Sequence, residues 1–249
     1  MSLPFGLTRT RIAARHAFIA PDSHVPSFIP GLENITPVVL IAPALGADFT
    51  QMLLTFQKGG RAEFPSDGVE TALYVEEGKV TATVEQKNYS LKKGSFLFVP
   101  ATQTWSLTQG TVGTRLTLFS KRYEGHPGTP PPSLVVGHES KIKGQPFLGD
   151  PDARLQVLLP DHPSFDLAMN IFSFVPGATL PFVETHLMEH GFLMLEGQGL
   201  YRLEESWYPI QKGDALWMGP YCPQWFAATG KKPARYLYYK NVNRIPRPA

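Results

Sequence analysis

One cysteine, Cys222, is all the chain contains. A lone thiol excludes an intramolecular disulfide and any thiolate cluster built from this chain, so a bound metal has to take nitrogen and oxygen ligands. Charge of one sign is equally scarce: 23 Lys and Arg stand against 21 Asp and Glu, a formal net charge of +2, and the basic residues form no dense block. Nucleic acid is therefore not an expected partner. No apolar run approaches the roughly 18 residues of a membrane span, which leaves no membrane partner in view. Arg9, Arg11 and Arg15 hint at a transit peptide, yet that segment lacks the apolar stretch of a signal sequence and soon meets Pro21, Pro26 and Pro30. It reads as mature, cytoplasmic protein.

Helical periodicity is also missing, and what replaces it is punctuation. With 24 Pro, 22 Gly, 16 Phe and 9 Tyr in 249 residues, short aromatic and β-branched runs alternate with turn residues at intervals of about ten, the pattern of antiparallel barrels or sandwiches. The length suits two domains. An internal repeat supports that count: LYVEEG (73–78) and KKGSFLF (92–98) match FLMLEG (192–197) and QKGDALW (211–217) at a constant offset of 119 residues. Between the copies EGHPGTPPPSL (124–134) is too rich in Pro and Gly for regular pairing. The expected division is an N-terminal domain over 1–123, a linker over 124–134 and a C-terminal domain over 135–249.

Candidate chemistry gathers in the second copy. Glu184, His186 and His190 follow the spacing E-x-H-x3-H, and Gly197 comes after six intervening residues. This layout resembles the first motif of the cupin family with its Glu and one His exchanged. In GDALWMGPYCPQ (213–224) Gln224 stands where the second cupin motif has its last His. Alternation along a strand sends Glu184 and His186 to one side, inward if Phe182 shares it. Buried together, a carboxylate and two imidazoles call for a cation, and Gln224 adds a neutral oxygen. A zincin-type helix does not fit, because Glu189 precedes His190 and Pro181 and Gly191 bracket too short a span. The donor set suits Mn2+ first, with Fe2+, Ni2+ or Zn2+ as alternatives.

The first copy lacks such donors. The positions matching the four ligands are Pro65, Asp67, Thr71 and Trp105, and the nearby Glu63, Asp67 and Glu70 read as solvated acidic loop residues. That copy reads as a scaffold or an oligomerisation module. In RYLYYK (235–240) Tyr236, Tyr238 and Lys240 alternate onto one strand face, and an inward Lys240 would serve as a proton shuttle. Cys222, with no histidine in a nucleophile motif, reads as a small buried hydrophobe. His16, His24, His126, His138 and His162 read as loop residues.

FVETHLMEHGFLMLEGQG (182–199), continuing through Trp207, Pro209, Lys212, Gly213 and Asp214 to Tyr239, Lys240 and Asn243, closely resembles the ureidoglycine aminohydrolase family. FIPGLEN (28–34) and KRY (121–123) extend the resemblance to the first half. It implies an all-β bicupin, two tandem double-stranded β-helix (jelly-roll) barrels, forming a homo-oligomer. It implies a manganese-dependent hydrolase of allantoin and purine breakdown that converts (S)-ureidoglycine and water to (S)-ureidoglycolate and ammonia. By the same resemblance Glu184, His186, His190 and Gln224 hold the metal, Glu184, Gln224, Tyr236 and Lys240 meet the substrate, and Lys240 assists proton transfer. The residue pattern alone leaves open an iron dioxygenase, a sugar isomerase or a non-catalytic small-molecule-binding cupin.

Overall fold

A computed structural model describes residues 7–244. In chain order its strands begin with β1 (Arg11–Ile12), β2 (His16–Ile19), β3 (Leu32–Ile41), β4 (Thr50–Phe64), β5 (Val69–Glu77), β6 (Lys79–Val84) and β7 (Lys87–Lys92). There follow β8 (Ser95–Val99), β9 (Trp105–Thr108), β10 (Arg115–Arg122), β11 (Val135–His138), β12 (Gln145–Phe147), β13 (Asp150–Val157) and β14 (Leu167–Phe174). The last are β15 (His190–Glu196), β16 (Gln198–Leu203), β17 (Ser206–Gln211), β18 (Ala215–Met218), β19 (Gln224–Thr229) and β20 (Ala234–Asn241). Helix among the described residues is confined to three short 3-10 turns, as the missing periodicity leads one to expect.

The duplication is visible strand by strand. β6 and β16, offset by 119 residues, bury the same alternate positions, and each is preceded by a left-handed glycine, Gly78 at φ 80° and Gly197 at φ 75°. A Cβ at Gly78 would run into Thr114 and one at Gly197 into the Pro233 carbonyl, so each turn needs glycine twice over.

Two compact units result. The C-terminal unit carries a sheet ordered β1-β2-β18-β15-β20-β14-β13-β12 and a second sheet ordered β17-β16-β19. The N-terminal unit carries β11-β8-β5-β10-β4-β9-β6-β7, with β3 on β4. The long β4 pairs with β10 through Thr50–Thr55 and with β9 through Ala62–Phe64, so one strand serves both walls of a barrel. The N-terminal interior is filled by Leu54, Phe56, Leu73, Val75, Leu97 and Leu116.

The units do not follow the division expected from the sequence. The C-terminal unit takes the residues up to His24 along with Lys143–Val157 and everything from Leu167 on; the N-terminal unit is Val25–Ile142 with Leu158–Asp166. The Pro-rich stretch 124–134 therefore lies inside one unit, and β11 beyond it pairs with β8. Hydrogen bonding between distant strands decides the division. β2 pairs with β18, Gly219 N donates to Arg15 O (2.8 Å), and the Arg9 guanidinium grips the buried Asp214 carboxylate at 2.6 and 3.0 Å. Leu158–Asp166 is anchored at Asp166, which accepts from Lys121 Nζ (2.6 Å) and Glu124 N (2.8 Å).

Candidate metal and catalytic site

A backbone bridge brings the two motifs together. Glu184 N donates to Gln224 O (2.8 Å) and Gln224 N donates to Glu184 O (2.9 Å), so the loop after β14 is stitched to the start of β19. Only Glu184 makes this bridge; the segment to His186 is not the continuous strand read from the sequence, and Phe182, taken as the inward marker, is 54% exposed. Pro181 and the backbone bonds to Gln224, not strand alternation, orient the segment. His186 is held by its neighbours: its Nδ1 donates to Met188 O (3.0 Å), and its carbonyl accepts from Tyr221 N (2.8 Å). That fixes Nε2 as the lone-pair nitrogen, and the Gln224 Nε2 amide lies 3.1 Å from it. His190 opens β15, opposite Met218 on β18 and Lys240 on β20, with its ring centroid 4.9 Å from that of His186.

Glu184, His186, His190, Gln224, Tyr236 and Lys240 all line one cavity of about 160 Å³ in the C-terminal barrel, and Tyr238 lines it with them. Burial dominates its electrostatics. It pushes the Glu184 carboxyl up, against the pull of the Lys240 ammonium. It pushes His186 down, and His190 well down, with Lys240 adding to both shifts. At neutral pH both imidazoles are thus uncharged and offer lone pairs. Burial also raises the phenols of Tyr201, Tyr236 and Tyr238, which stay protonated as hydrogen-bond donors. The buried Cys222 thiol is pushed up to about 11, the opposite of an activated nucleophile.

Tyr201 is a site residue that the sequence reading missed. Its hydroxyl donates to Gln224 Oε1 (3.3 Å) from β16, where alternation with the buried Leu203 was the available signal. Two other readings change. His16 is buried on β2, bonded to Glu204 (3.0 Å) and Tyr208 (2.8 Å), and is no loop residue. Glu70 is fully buried at the start of β5, whereas Glu63 and Asp67 are exposed.

Comparison with known proteins gives the family of the chain. The Cupin domain model matches residues 170–239 and the EutQ-like cupin domain model matches 45–123. The (S)-ureidoglycine aminohydrolase of Arabidopsis thaliana is 39% identical over 244 residues, 97% of this chain and 80% of that protein. The (S)-ureidoglycine aminohydrolase of Escherichia coli (strain K12) is 37% identical over 248 residues, 96% of this chain and 94% of the relative. The chain belongs to the (S)-ureidoglycine aminohydrolase family. The solved structure of protein Ylba from E. coli superposes with a TM-score of 0.87 at 34% identity, covering 96% of each chain. As a member of this aminohydrolase family the protein is a hydrolase with two cupin domains, and the expected all-β bicupin architecture holds. No helix among the described residues is long and apolar enough to cross a membrane.

Among the described residues no three His, Cys, Asp or Glu side chains stand together as a formed metal-binding group. The chemistry of the donors nevertheless fits a divalent ion. His190 Nε2 is buried without a hydrogen-bond partner, His186 Nε2 presents its lone pair to the Gln224 amide alone, and a carboxylate and a carboxamide face the same cavity. An orphaned buried acceptor beside a carboxylate raised by burial is what a cation would satisfy.

Proposed function

We propose that this protein is an (S)-ureidoglycine aminohydrolase, releasing ammonia from (S)-ureidoglycine to give (S)-ureidoglycolate in purine and allantoin breakdown. The observation that carries this reading is the convergence on one small cavity of Glu184, His186, His190 and Gln224 with Tyr236 and Lys240, in a chain of this family. A volume of about 160 Å³ suits a substrate of this size and little more. Glu184, His186, His190 and Gln224 would hold Mn2+, which when bound supplies positive charge for the substrate carboxylate and for developing negative charge.

The remaining work falls to the chain itself. Tyr236 and Lys240 hold the substrate's polar groups, the buried aromatic walls exclude bulk water, and the tetrahedral carbon is presented to one water from one side. A C–O bond forms and the C–N bond to the amine breaks. Lys240 moves the proton from the attacking water to the departing amine, which leaves as ammonia. The test is ammonia release from freshly generated ureidoglycine with and without Mn2+, alongside oxygen uptake. Mn2+-dependent release without oxygen consumption supports the proposal; oxygen uptake, or no release at any metal loading, overturns it.

A further inference from the structure

Behind the cavity three buried residues are linked through Glu189, by its carboxylate to one and by its backbone N–H to the other. Glu189 is 1% exposed, Trp217 3% and Asn241 9%. The Trp217 indole N–H donates to Glu189 Oε2 (3.0 Å), and Glu189 N donates to Asn241 Oδ1 (2.7 Å). Each of the three is the immediate chain neighbour of a residue that lines the cavity: Glu189 of His190, Trp217 of Met218, Asn241 of Lys240. Those three cavity residues form one row across β18, β15 and β20, His190 being the register partner of both Met218 and Lys240. Side chains alternate along strands, so the row that faces the cavity is backed on the opposite face by the bonded trio.

We infer that Glu189, Trp217 and Asn241 are positioning residues that lock the row His190–Met218–Lys240 and so set the separation between the His190 imidazole and the Lys240 ammonium. The first copy sharpens the assignment. Glu70 occupies the position equivalent to Glu189 and stands in register with Lys121, but Phe98 replaces Trp217 and donates no hydrogen bond. The copy without the donors also lacks the indole. This inference rests on the proposed metal site, and His190→Ala serves as the control for that reading.

The experiment measures Mn2+ affinity, kcat, KM and the melting temperature of the metal-free protein for the parent, His190→Ala, Trp217→Phe, Asn241→Leu, Glu189→Leu and Glu189→Gln. If the parent and His190→Ala bind Mn2+ alike, the metal reading fails by itself, and kcat and KM alone then decide the role of the trio. With binding dependent on His190, Trp217→Phe, Asn241→Leu and Glu189→Leu are expected to weaken Mn2+ about 10- to 100-fold, the usual scale for groups that orient a ligand. They should also lower kcat more than they raise KM, while the metal-free melting temperature moves by only a few degrees. Glu189→Gln keeps an oxygen for the indole N–H and should recover most of the loss. Parent-like affinity and turnover in Trp217→Phe and Glu189→Leu would overturn the inference. So would a melting temperature that falls in step with affinity, with no recovery in Glu189→Gln.

Discussion

Replacing Lys240 by Met tests the proposed chemistry most directly. Lys240 is half-buried on β20, opposite His190 on one side and Ala168 on the other. Methionine keeps the length and the apolar stem, so the strand pairing should survive. If Lys240 moves the proton between water and amine, its loss removes general acid–base assistance, worth 10² to 10⁴ in rate or about 2.7 to 5.5 kcal/mol at 1.36 per tenfold. Turnover in Lys240→Met should therefore fall by at least about 100-fold.

A second consequence follows from the field of the ammonium. Lys240 holds the Glu184 carboxyl below where burial alone would put it, and it pushes His186 and His190 further down. With the charge gone all three groups take up protons more readily, so protons compete with Mn2+ up to a higher pH. The acid edge of Mn2+ binding should move upward in the mutant, while at about pH 8 affinity should be no weaker than in the parent, because the ammonium that opposed a second cation is gone. Stopped-flow ammonia release with saturating Mn2+, paired with Mn2+ titrations across pH, separates the two effects. Normal turnover would put Lys240 outside the chemistry, and loss of Mn2+ at pH 8 would make its role structural.

Other expectations can be checked with the same protein. His186→Ala and His190→Ala should each lose most bound Mn2+ by metal analysis, the parent holding about one ion per chain, because the first barrel has Pro65, Asp67, Thr71 and Trp105 at the matching positions. Full occupancy in both mutants would mean that the ligand set is wrong. Gln224→His should retain metal but shift preference toward Zn2+ or Ni2+ in competition experiments, since an imidazole replaces a harder oxygen; unchanged selectivity would remove Gln224 from the ligand set. Both imidazoles have folded pKa values below 6.5, so the unfolded chain takes up protons that the folded one refuses as pH drops through and below about 6.5. The raised Glu184 carboxyl acts in the opposite sense, costing stability as pH rises through its folded pKa. Metal-free protein should therefore lose denaturant stability between about pH 7 and pH 5, and His190→Leu should lose less; equal slopes would contradict the buried, neutral assignment of His190.

The repeat, the barrel class and the turn glycines were legible because each is a local pattern at a fixed offset. β6 and β16 bury the same alternate positions, and Gly78 and Gly197 each meet a backbone approach that no Cβ tolerates. The residues around the cavity were legible for a related reason: Tyr236, Tyr238 and Lys240 alternate on one strand, and that alternation is written in the sequence. Glu184 and His186 do face one cavity as expected, but not for the expected reason: the orientation comes from two backbone hydrogen bonds between Glu184 and Gln224 and not from strand pleating, as the exposed Phe182 makes plain. The roles of Tyr201, His16 and Glu189 were not legible because their partners lie far along the chain: Gln224, Glu204 and Asn241. Pairing of β2 with β18 likewise leaves no local trace, so a boundary drawn at the Pro-rich stretch separates the two cupin matches but does not follow the compact units.

The two copies show what a barrel gives up to carry a site. At the positions of His190 and Gln224 the first copy has Thr71 and Trp105, and the Trp105 indole stacks on Phe64 with centroids 4.0 Å apart. Its interior of Leu, Val and Phe is packed with apolar side chains, which stabilises a barrel by about 25 cal/mol per Å² removed from water. The second copy replaces part of that packing with three phenols, two neutral imidazoles and a carboxyl raised by burial, each of which loses hydration on folding. Its remaining contacts therefore have to hold strands that enclose a cavity. The N-terminal residues supply some of them: β2 adds a strand beside β18, and Arg9 neutralises the buried Asp214, which also accepts from Gln211 N at the turn before β18. A polar pocket is thus supported by a segment from the other end of the chain, and a C-terminal half expressed without residues 7–24 would lack both the strand and the guanidinium that secure the Met218 edge of the site.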